Sequence, residues 1–454
     1  MEATLLQHLA EFACHEHRPN FRAEARRFAR HCLLDFAGVA IAGANEPVVN
    51  ALRNFCLAQG GAAEASVLGH SARLPVRSAA LIAGAAGHAL DFDDNNMAMQ
   101  GHPSAPLLGA LLPLAEHLGA GGSDLIDALI VGYEVECRIG AGFGFEHYNA
   151  GFHATATLGT FGAAAACARL LKLSPGQTAD ALSIAASQAS GLKAMFGTMC
   201  KPGQVGMAAE KGVFAALLAK YGLHGSADAI DGTSGFARTH SKAFSSDLAR
   251  IEVSRQLEIE HTIFKYHASC FDTHAVIEAI RVLMREQALT APDIRNIDIF
   301  AYEEIDTVCN IARPDTGLGL KFSLRGVAAL AVLGIPTESI ATFSDEMARD
   351  ARVVDLRERT AVHLRKGYPQ SYAEVTLTLH DGRTFERRHD SAVVGGDPDD
   401  QERRLKRKFA TLLRPILGND HTDGLACVIL DMDAHGVADL VSLMQTPSLR
   451  EVAR

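Results

Sequence analysis

Tryptophan is absent from this chain, and aromatic residues of all kinds make up only 6% of it. No basic run interleaved with aromatics occurs, and the formal net charge is −10, so nucleic acid is not an expected partner. An anionic small molecule stays possible, because a pocket can be locally positive on an acidic surface. The nine cysteines never form a CxxC pair, which removes the usual spacing of zinc and iron–sulfur sites. Their odd number, and an N-terminus (MEATLLQHLAEFACHEH) without a basic n-region or an apolar h-region, point to a reducing, cytoplasmic setting. No apolar run reaches membrane-spanning length, so no membrane association is expected. A GxSxG elbow, a Walker-type phosphate loop and a fixed-period repeat are all missing. Gly140 to Gly144 is glycine-rich but follows a helical pattern rather than a strand, against a dinucleotide role.

What is present is a chain of 454 residues, long enough for two domains, with 48% apolar residues, 21% charged residues and 40 glycines. Apolar residues recur at three-to-four spacing over Phe21–Phe36, Pro47–Gln59, Ser78–Leu90, Pro106–Leu118, Asp124–Gly140, Thr155–Leu171 and Ser174–Ser190. Gly and Pro clusters break the series. Several of these helices are rich in Ala and Gly, which lets backbones approach closely. Past about His261 the character changes. IRNIDIFAY (Ile294–Tyr302) alternates like a half-buried strand, and YAEVTLTLHDGRTFERR (Tyr372–Arg388) reads as a hairpin turning at Asp381-Gly382. Helices over Ser323–Leu333 and Asp345–Asp350 lie between them, and charged amphipathic helix returns after Asp400. The fold class expected is mainly α: a large all-helical domain formed by residues 1–262 and 396–454, with a smaller α+β domain over 263–395.

The stretch from His88 to Glu116 carries the strongest chemical pattern. An apolar small-residue helix ends in Asp91, Asp93 and Asp94, a short polar loop follows, and His102-Pro103-Ser104 opens a second helix. The positive end of that helix should keep the His102 imidazole neutral, and a neutral imidazole near a carboxylate is a proton-moving pair. Asp93 and Asp94 taken singly read as solvated or capping residues. Three more polar groups stand at expected helix starts. His153 precedes a small-residue helix, Lys201 lies before the helix holding Met207–Tyr221, and Lys265 opens the helix containing His274. Helix N-termini with adjacent Lys and His are anion sites, so convergence of these groups would suit a ligand with two or three carboxylates. The run Asp91–Asp94 could take Mg²⁺, but no second acidic cluster completes such a site, and no metal is expected.

Together these stretches resemble the MmgE/PrpD family, whose members include 2-methylcitrate dehydratases, cis-aconitate decarboxylases and an iminodisuccinate epimerase. The resemblance is carried by HALDFDD at 88–94, GHPS at 101–104, GYEVECRIG at 132–140 and GFHATATLGTFGAAAA at 151–166. It continues in order through GTMCKPGQVGMAAEKG at 197–212, KYHASCFDTH at 265–274 and KFSL at 321–324. It implies a helical domain plus an α+β lid, a homodimer, and chemistry without metal or cofactor. It also implies that Asp91, His102, His153, Lys201 and Lys265 line the site. Asn95 stands where many members have Thr, Gln204 where a His is common, Glu210 where Lys or Arg occurs, and Gly326 where several lyases have Tyr. With Asn95, Gln204 and Glu210 among the substrate-binding positions, the pocket loses a cation and gains a carboxylate, which favours a less anionic substrate or one with an amine or hydroxyl there.

The function expected is a cofactor-independent lyase, like a 2-methylcitrate dehydratase, acting on a small di- or tricarboxylate. His102 or His153 would remove a proton next to a carboxylate, Asp91 would orient an imidazole, and Lys201 and Lys265 would hold the developing charge. The spacing from DFDD to GHPS and the segment EHYNAGFH at 146–153 look closest to the epimerase branch, which makes a dicarboxylate epimerase the alternative. A non-catalytic carboxylate-binding protein is a third reading.

Overall fold

The structure, a computed structural model, describes residues 3–14, 21–251, 256–393 and 397–445. The fold is mainly α with a smaller α+β part, and the chain divides into two compact units, Met1–Phe264 with Glu402–Arg454, and Lys265–Gln401. Among the described residues no single helix is long and apolar enough to cross a membrane.

In the first unit five helices matter for the site: α1 (Val76–His88), α2 (Ser104–Leu118), α3 (Gly122–Phe143), α4 (Ala154–Leu170) and α5 (Cys200–Lys220). Helices α2 and α5 pack on each other and on both α1 and α4, and α3 packs on α4. Their sequences explain the closeness. A Cβ at Gly109 on α2 would lie 2.5 Å from the Gly84 Cα of α1, and one at Gly206 on α5 would lie 2.2 Å from the Leu81 carbonyl oxygen. Only glycine allows backbones to meet at that distance. Around these contacts Ile82, Leu107 and Leu111 are wholly buried, each stabilising the fold by ~1.5–3 kcal/mol. Helix α5 begins at Cys200, earlier than the sequence suggests, so Lys201 sits in its first turn rather than ahead of it.

The helix Pro398–Leu417 returns to this unit through a buried ion pair. Lys408 Nζ lies 2.5 Å from Asp35 Oδ1 on the helix Ala23–Gly43 and donates to the Phe92 carbonyl at 2.6 Å. Phe92 lies between the site residues Asp91 and Asp93, so the ammonium fixes that loop from beneath.

The second unit has a four-stranded sheet: β1 (Ile294–Tyr302), β2 (Thr360–Arg365), β3 (Tyr372–Leu379) and β4 (Thr384–Asp390), in spatial order β2-β1-β3-β4. Only β1 and β2 run parallel. Ile297 faces Leu377 and Ile299 faces Val375 across the antiparallel β1–β3 pair, and all four are buried. Helix α6 (His274–Glu286) packs on β3 and β4, and α7 (Leu324–Val332) packs on α6. The hairpin turns at Asp381-Gly382 as its sequence indicates, with Gly382 at φ +90°. Strand β2 gives no such signal, because TAVHLR is largely exposed and its pairing is non-local. Lys265 does not open a helix: residues 265–270 are irregular and α6 starts only at His274. Gly326 lies in the first turn of α7, where its N–H donates to Ser323 Oγ at 3.1 Å.

Candidate active site

The site is built where α1 ends. After His88 the chain turns tightly, the Asp91 N–H donating to the His88 carbonyl at 3.1 Å, and Asp91 takes a left-handed backbone with φ +52°. Asp is among the few residues that tolerate this region. The turn throws Asp91 and Asp93 toward the helix end they have just left. The loop is then closed by two backbone pairings, Asn95 with Ile263 and Asn96 with Gly101, which deliver His102 to the start of α2.

His88 lies at the centre. Its Nδ1 donates to both Asp93 oxygens, at 2.9 and 3.0 Å, and both side chains are fully buried. The His102 ring is edge-on to His88 with centroids 4.7 Å apart, and the His153 ring is 5.9 Å from His88. His102 also lies between two carboxylates, its Nδ1 3.6 Å from Asp93 and its Nε2 3.8 Å from Asp91. The helix end is therefore not the only field acting on that ring. Lys201 Nζ, from the first turn of α5, donates to Asp91 Oδ1 at 2.9 Å. Phe196 closes one side, its ring 5.1 Å from the His153 ring and 5.1 Å from Lys201 Nζ.

His153 is the residue just before α4, held by its N–H to the Gly191 carbonyl at 3.1 Å. Its Nδ1 is 2.9 Å from Gln204 Oε1. The same oxygen accepts the Leu192 N–H at 3.1 Å, while Gln204 Nε2 donates to the Leu192 carbonyl at 3.4 Å. Leu192 thus fixes which end of the amide is oxygen, so Nδ1 of His153 must carry the proton and Nε2 the lone pair. No hydrogen-bond partner meets that Nε2 among the described residues. Burial first, and then the neighbouring His88 and Lys201, hold the His153 imidazole well below its ordinary range, so it is neutral.

Beneath the cluster Asp94 accepts from the Ser104 N–H at 3.2 Å and from Ser104 Oγ at 2.6 Å, fastening the loop to the first residue of α2. Burial, reinforced by the Asp35 and Asp93 carboxylates, pushes Asp94 up to about 8 against the pull of Ser104. Asp93 and Asp94 are wholly buried, so neither is solvated, whereas Asp94, receiving the first N–H of α2, fits the capping alternative.

Of the residues singled out in the sequence, Asp91, His102, His153, Lys201 and Gln204 come together here. Asn95 takes part through its backbone pairing with Ile263. Lys265 is buried and is the first residue of the second unit. Glu210 does not join the cluster, a correction to its expected role. Its carboxylate is 2.7 Å from Arg77 at the opposite end of α1, and the Arg77 guanidinium lies over Phe214. Eleven residues of helix, roughly 17 Å, separate Arg77 from His88. The pocket therefore gains no carboxylate from Glu210, and the argument for a less anionic substrate falls with it. His88 and Asp93 are the additions the sequence reading missed. The available signal was a histidine at a helix end, three and five residues ahead of two aspartates.

His88, Asp91, Asp93 and His102 each offer a ligand atom within 4.8 Å of the others, a set able to hold a divalent ion. The Lys201 ammonium donates to Asp91 Oδ1 at 2.9 Å, so a divalent ion there would share that carboxylate with it. The stronger chemical feature is a neutral, oriented imidazole beside an ammonium and two further imidazoles.

Residues 7–249 match the model of the MmgE/PrpD N-terminal domain, and residues 267–432 match that of the MmgE/PrpD C-terminal domain. Over 445 residues the chain is 28% identical to a cis-aconitate decarboxylase of Mus musculus, covering 94% of this chain and 90% of the relative. The cis-aconitate decarboxylase of Homo sapiens is also 28% identical, over 94% of this chain and 91% of its own length. One from Aspergillus terreus (strain NIH 2624 / FGSC A1156) is 26% identical over 92% and 91%.

Proposed function

The chain belongs to the MmgE/PrpD family and is an enzyme of its lyase type, and on that premise we propose that it removes a proton next to a carboxylate of a small di- or tricarboxylate and then expels a β-substituent, as a hydro-lyase does. The observation that carries this reading is the fixed tautomer of His153: a neutral imidazole whose Nε2 lone pair has no competing partner among the described residues is a base ready to accept a proton. Lys201, partly buried and paired with Asp91, supplies the positive charge that an enediolate-like intermediate needs. His88, oriented by Asp93, and His102, between Asp91 and Asp93, are the groups placed to return a proton to the leaving hydroxide.

Decarboxylation is the second reading, favoured by the names of the relatives. It would use the same ammonium to stabilise the carbanion left when CO₂ departs, but it needs a proton donor rather than a base at the reacting carbon. The two are separated by incubating the enzyme in heavy water with a panel of hydroxy-tricarboxylates and with cis-aconitate. Proton NMR and released CO₂ are followed together. The hydro-lyase reading expects deuterium in the recovered hydroxy acid at the carbon beside the carboxylate, an unsaturated product, and loss of both in His153→Gln. Release of CO₂ from cis-aconitate without such exchange in any hydroxy acid would replace it with the decarboxylase reading. Exchange without any unsaturated product would instead point to an epimerase.

A further inference from the structure

The second unit contains a thiol pair that the proposed chemistry does not use. Cys270 closes the irregular segment before α6, and Cys309 follows the short helical turn Glu303–Thr307 after β1. Their sulfurs and an Asp272 carboxylate oxygen lie within 4.8 Å of one another. Both cysteines are held by the same piece of chain. The Cys270 N–H donates to the Lys321 carbonyl at 3.0 Å, and the Leu324 N–H donates to the Cys309 carbonyl at 3.1 Å. The Cys309 N–H is itself tied to the Ile305 carbonyl at 3.0 Å. Two thiols so anchored meet because the fold holds their backbones together.

We propose that Cys270 and Cys309 are a redox site, which a peroxide converts to an intramolecular disulfide. Asp272 is already engaged, accepting from Tyr302 Oη and from Gln370 Nε2 at 3.1 Å, so the two sulfurs are the reactive partners. The order of events follows from exposure. Cys270 is partly exposed while Cys309 is buried, and burial, with Cys270 and Asp272 adding, pushes the Cys309 thiol up. Cys270, the sulfur an oxidant can reach, is therefore the attacking one and Cys309 the resolving one. The Cys270 sulfur attacks one peroxide oxygen, the O–O bond breaks, and hydroxide leaves and takes up a proton. Cys270 is thereby oxidised by two electrons to a sulfenic acid. The Cys309 sulfur then displaces the sulfenic hydroxyl from Cys270, and that hydroxyl leaves as water with the Cys309 proton. One peroxide and two thiols become one disulfide and two waters.

The test uses the full chain carrying Cys200→Ser and Cys427→Ser, because Cys200 and Cys427 are the exposed cysteines and would otherwise consume oxidant. After hydrogen peroxide treatment, remaining thiols are alkylated under denaturing conditions and the protein is digested for mass spectrometry. The expected result is a peptide pair joined through Cys270 and Cys309, lighter by two hydrogens and separated again by dithiothreitol. Two of the seven remaining thiols disappear. In a Cys309→Ala version shown to be folded by circular dichroism, Cys270 accumulates as a sulfenic acid captured by a cyclic 1,3-dione. The cross-link map itself does not depend on that variant. Cys270 advancing to sulfinic acid while Cys309 remains a thiol would overturn the proposal. So would both thiols staying alkylatable at their starting level. A stoichiometric zinc ion in the purified protein that shields both thiols until chelated would also overturn it, in favour of a metal site built from Cys270, Asp272 and Cys309.

Discussion

At the scale of single residues, Gln204 decides what His153 can do. Its oxygen is committed twice, to the Leu192 N–H and to His153 Nδ1, and this commitment leaves the imidazole one tautomer. Gln204→Leu keeps the volume close but removes the oxygen. Solvent exchange of the substrate proton should fall toward the ~10²–10⁴ loss of a missing general base, with substrate affinity nearly unchanged. Nitrogen NMR of His153 should show mixed tautomers in the variant, and a single unchanged Nδ1–H form would count against the assignment. The same histidine makes a pH prediction. Its folded-state value is depressed, so the unfolded chain takes up a proton below pH 6.5 and the folded chain does not. Its contribution is thus fully present above 6.5 and is lost as pH falls, at about 1.4 kcal/mol per pH unit. His31 and His147, held at about 4 and about 3 by burial, add in the same direction, whereas Asp94, raised to about 8, acts in the opposite one. The His153 contribution is therefore read as a difference. The stability gap between wild type and His153→Gln in urea should narrow between pH 6.5 and 5, and a gap independent of pH would refute the neutral, buried assignment. Asp94 also shows what a sequence conceals. Adjacent residues of one type, Asp93 and Asp94 serve different partners, His88 and Ser104, and nothing in DFDD distinguishes them.

At the scale of elements, the antiparallel pairing of α1 with α5 organises the site. Asp91 just past the end of α1 meets Lys201 at the start of α5, Leu81 meets Gly206 midway, and Arg77 at the other end meets Glu210. The helices themselves were readable from three-to-four spacing, because amphipathic periodicity is a local property. Their mutual direction is not a local property, so the resemblance that puts Glu210 among the substrate-binding positions has no check in the sequence. Glu210→Gln should leave KM and kcat unchanged and cost at most about 1 kcal/mol, the scale of a half-exposed ion pair. A severalfold change in KM would restore it to the site. Gly109→Ala tests the close packing directly. The new Cβ would meet the Gly84 Cα at 2.5 Å, backbone against helix, so overpacking should cost about 1–3 kcal/mol in chemical denaturation. Because the shift pushes α2 from α1, it should also reduce turnover, and an unaltered denaturation midpoint would show that the helices are not so tightly seated.

At the scale of the whole molecule, the helix Pro398–Leu417 is joined to the loop after α1 through the Lys408 ammonium. Lys408→Ala strands the buried Asp35 carboxylate and releases the Phe92 carbonyl, so a loss of about 3–5 kcal/mol is expected from the urea midpoint. Asp35→Asn combined with Lys408→Met should recover much of it. Additivity of the single and double changes would mean that the pair is not coupled. The sequence by itself determined the mainly helical class, the hairpin at Asp381-Gly382 and the ordered polar motifs, since each depends on residues close together in the chain. The tertiary structure alone decided that His88 is the centre, that Gln204 sets a tautomer, that Glu210 is elsewhere and that Asp94 is pushed up to about 8. Each of those depends on burial and on partners brought from distant segments, and the water a carboxylate or imidazole loses is set by its neighbours in space rather than in sequence.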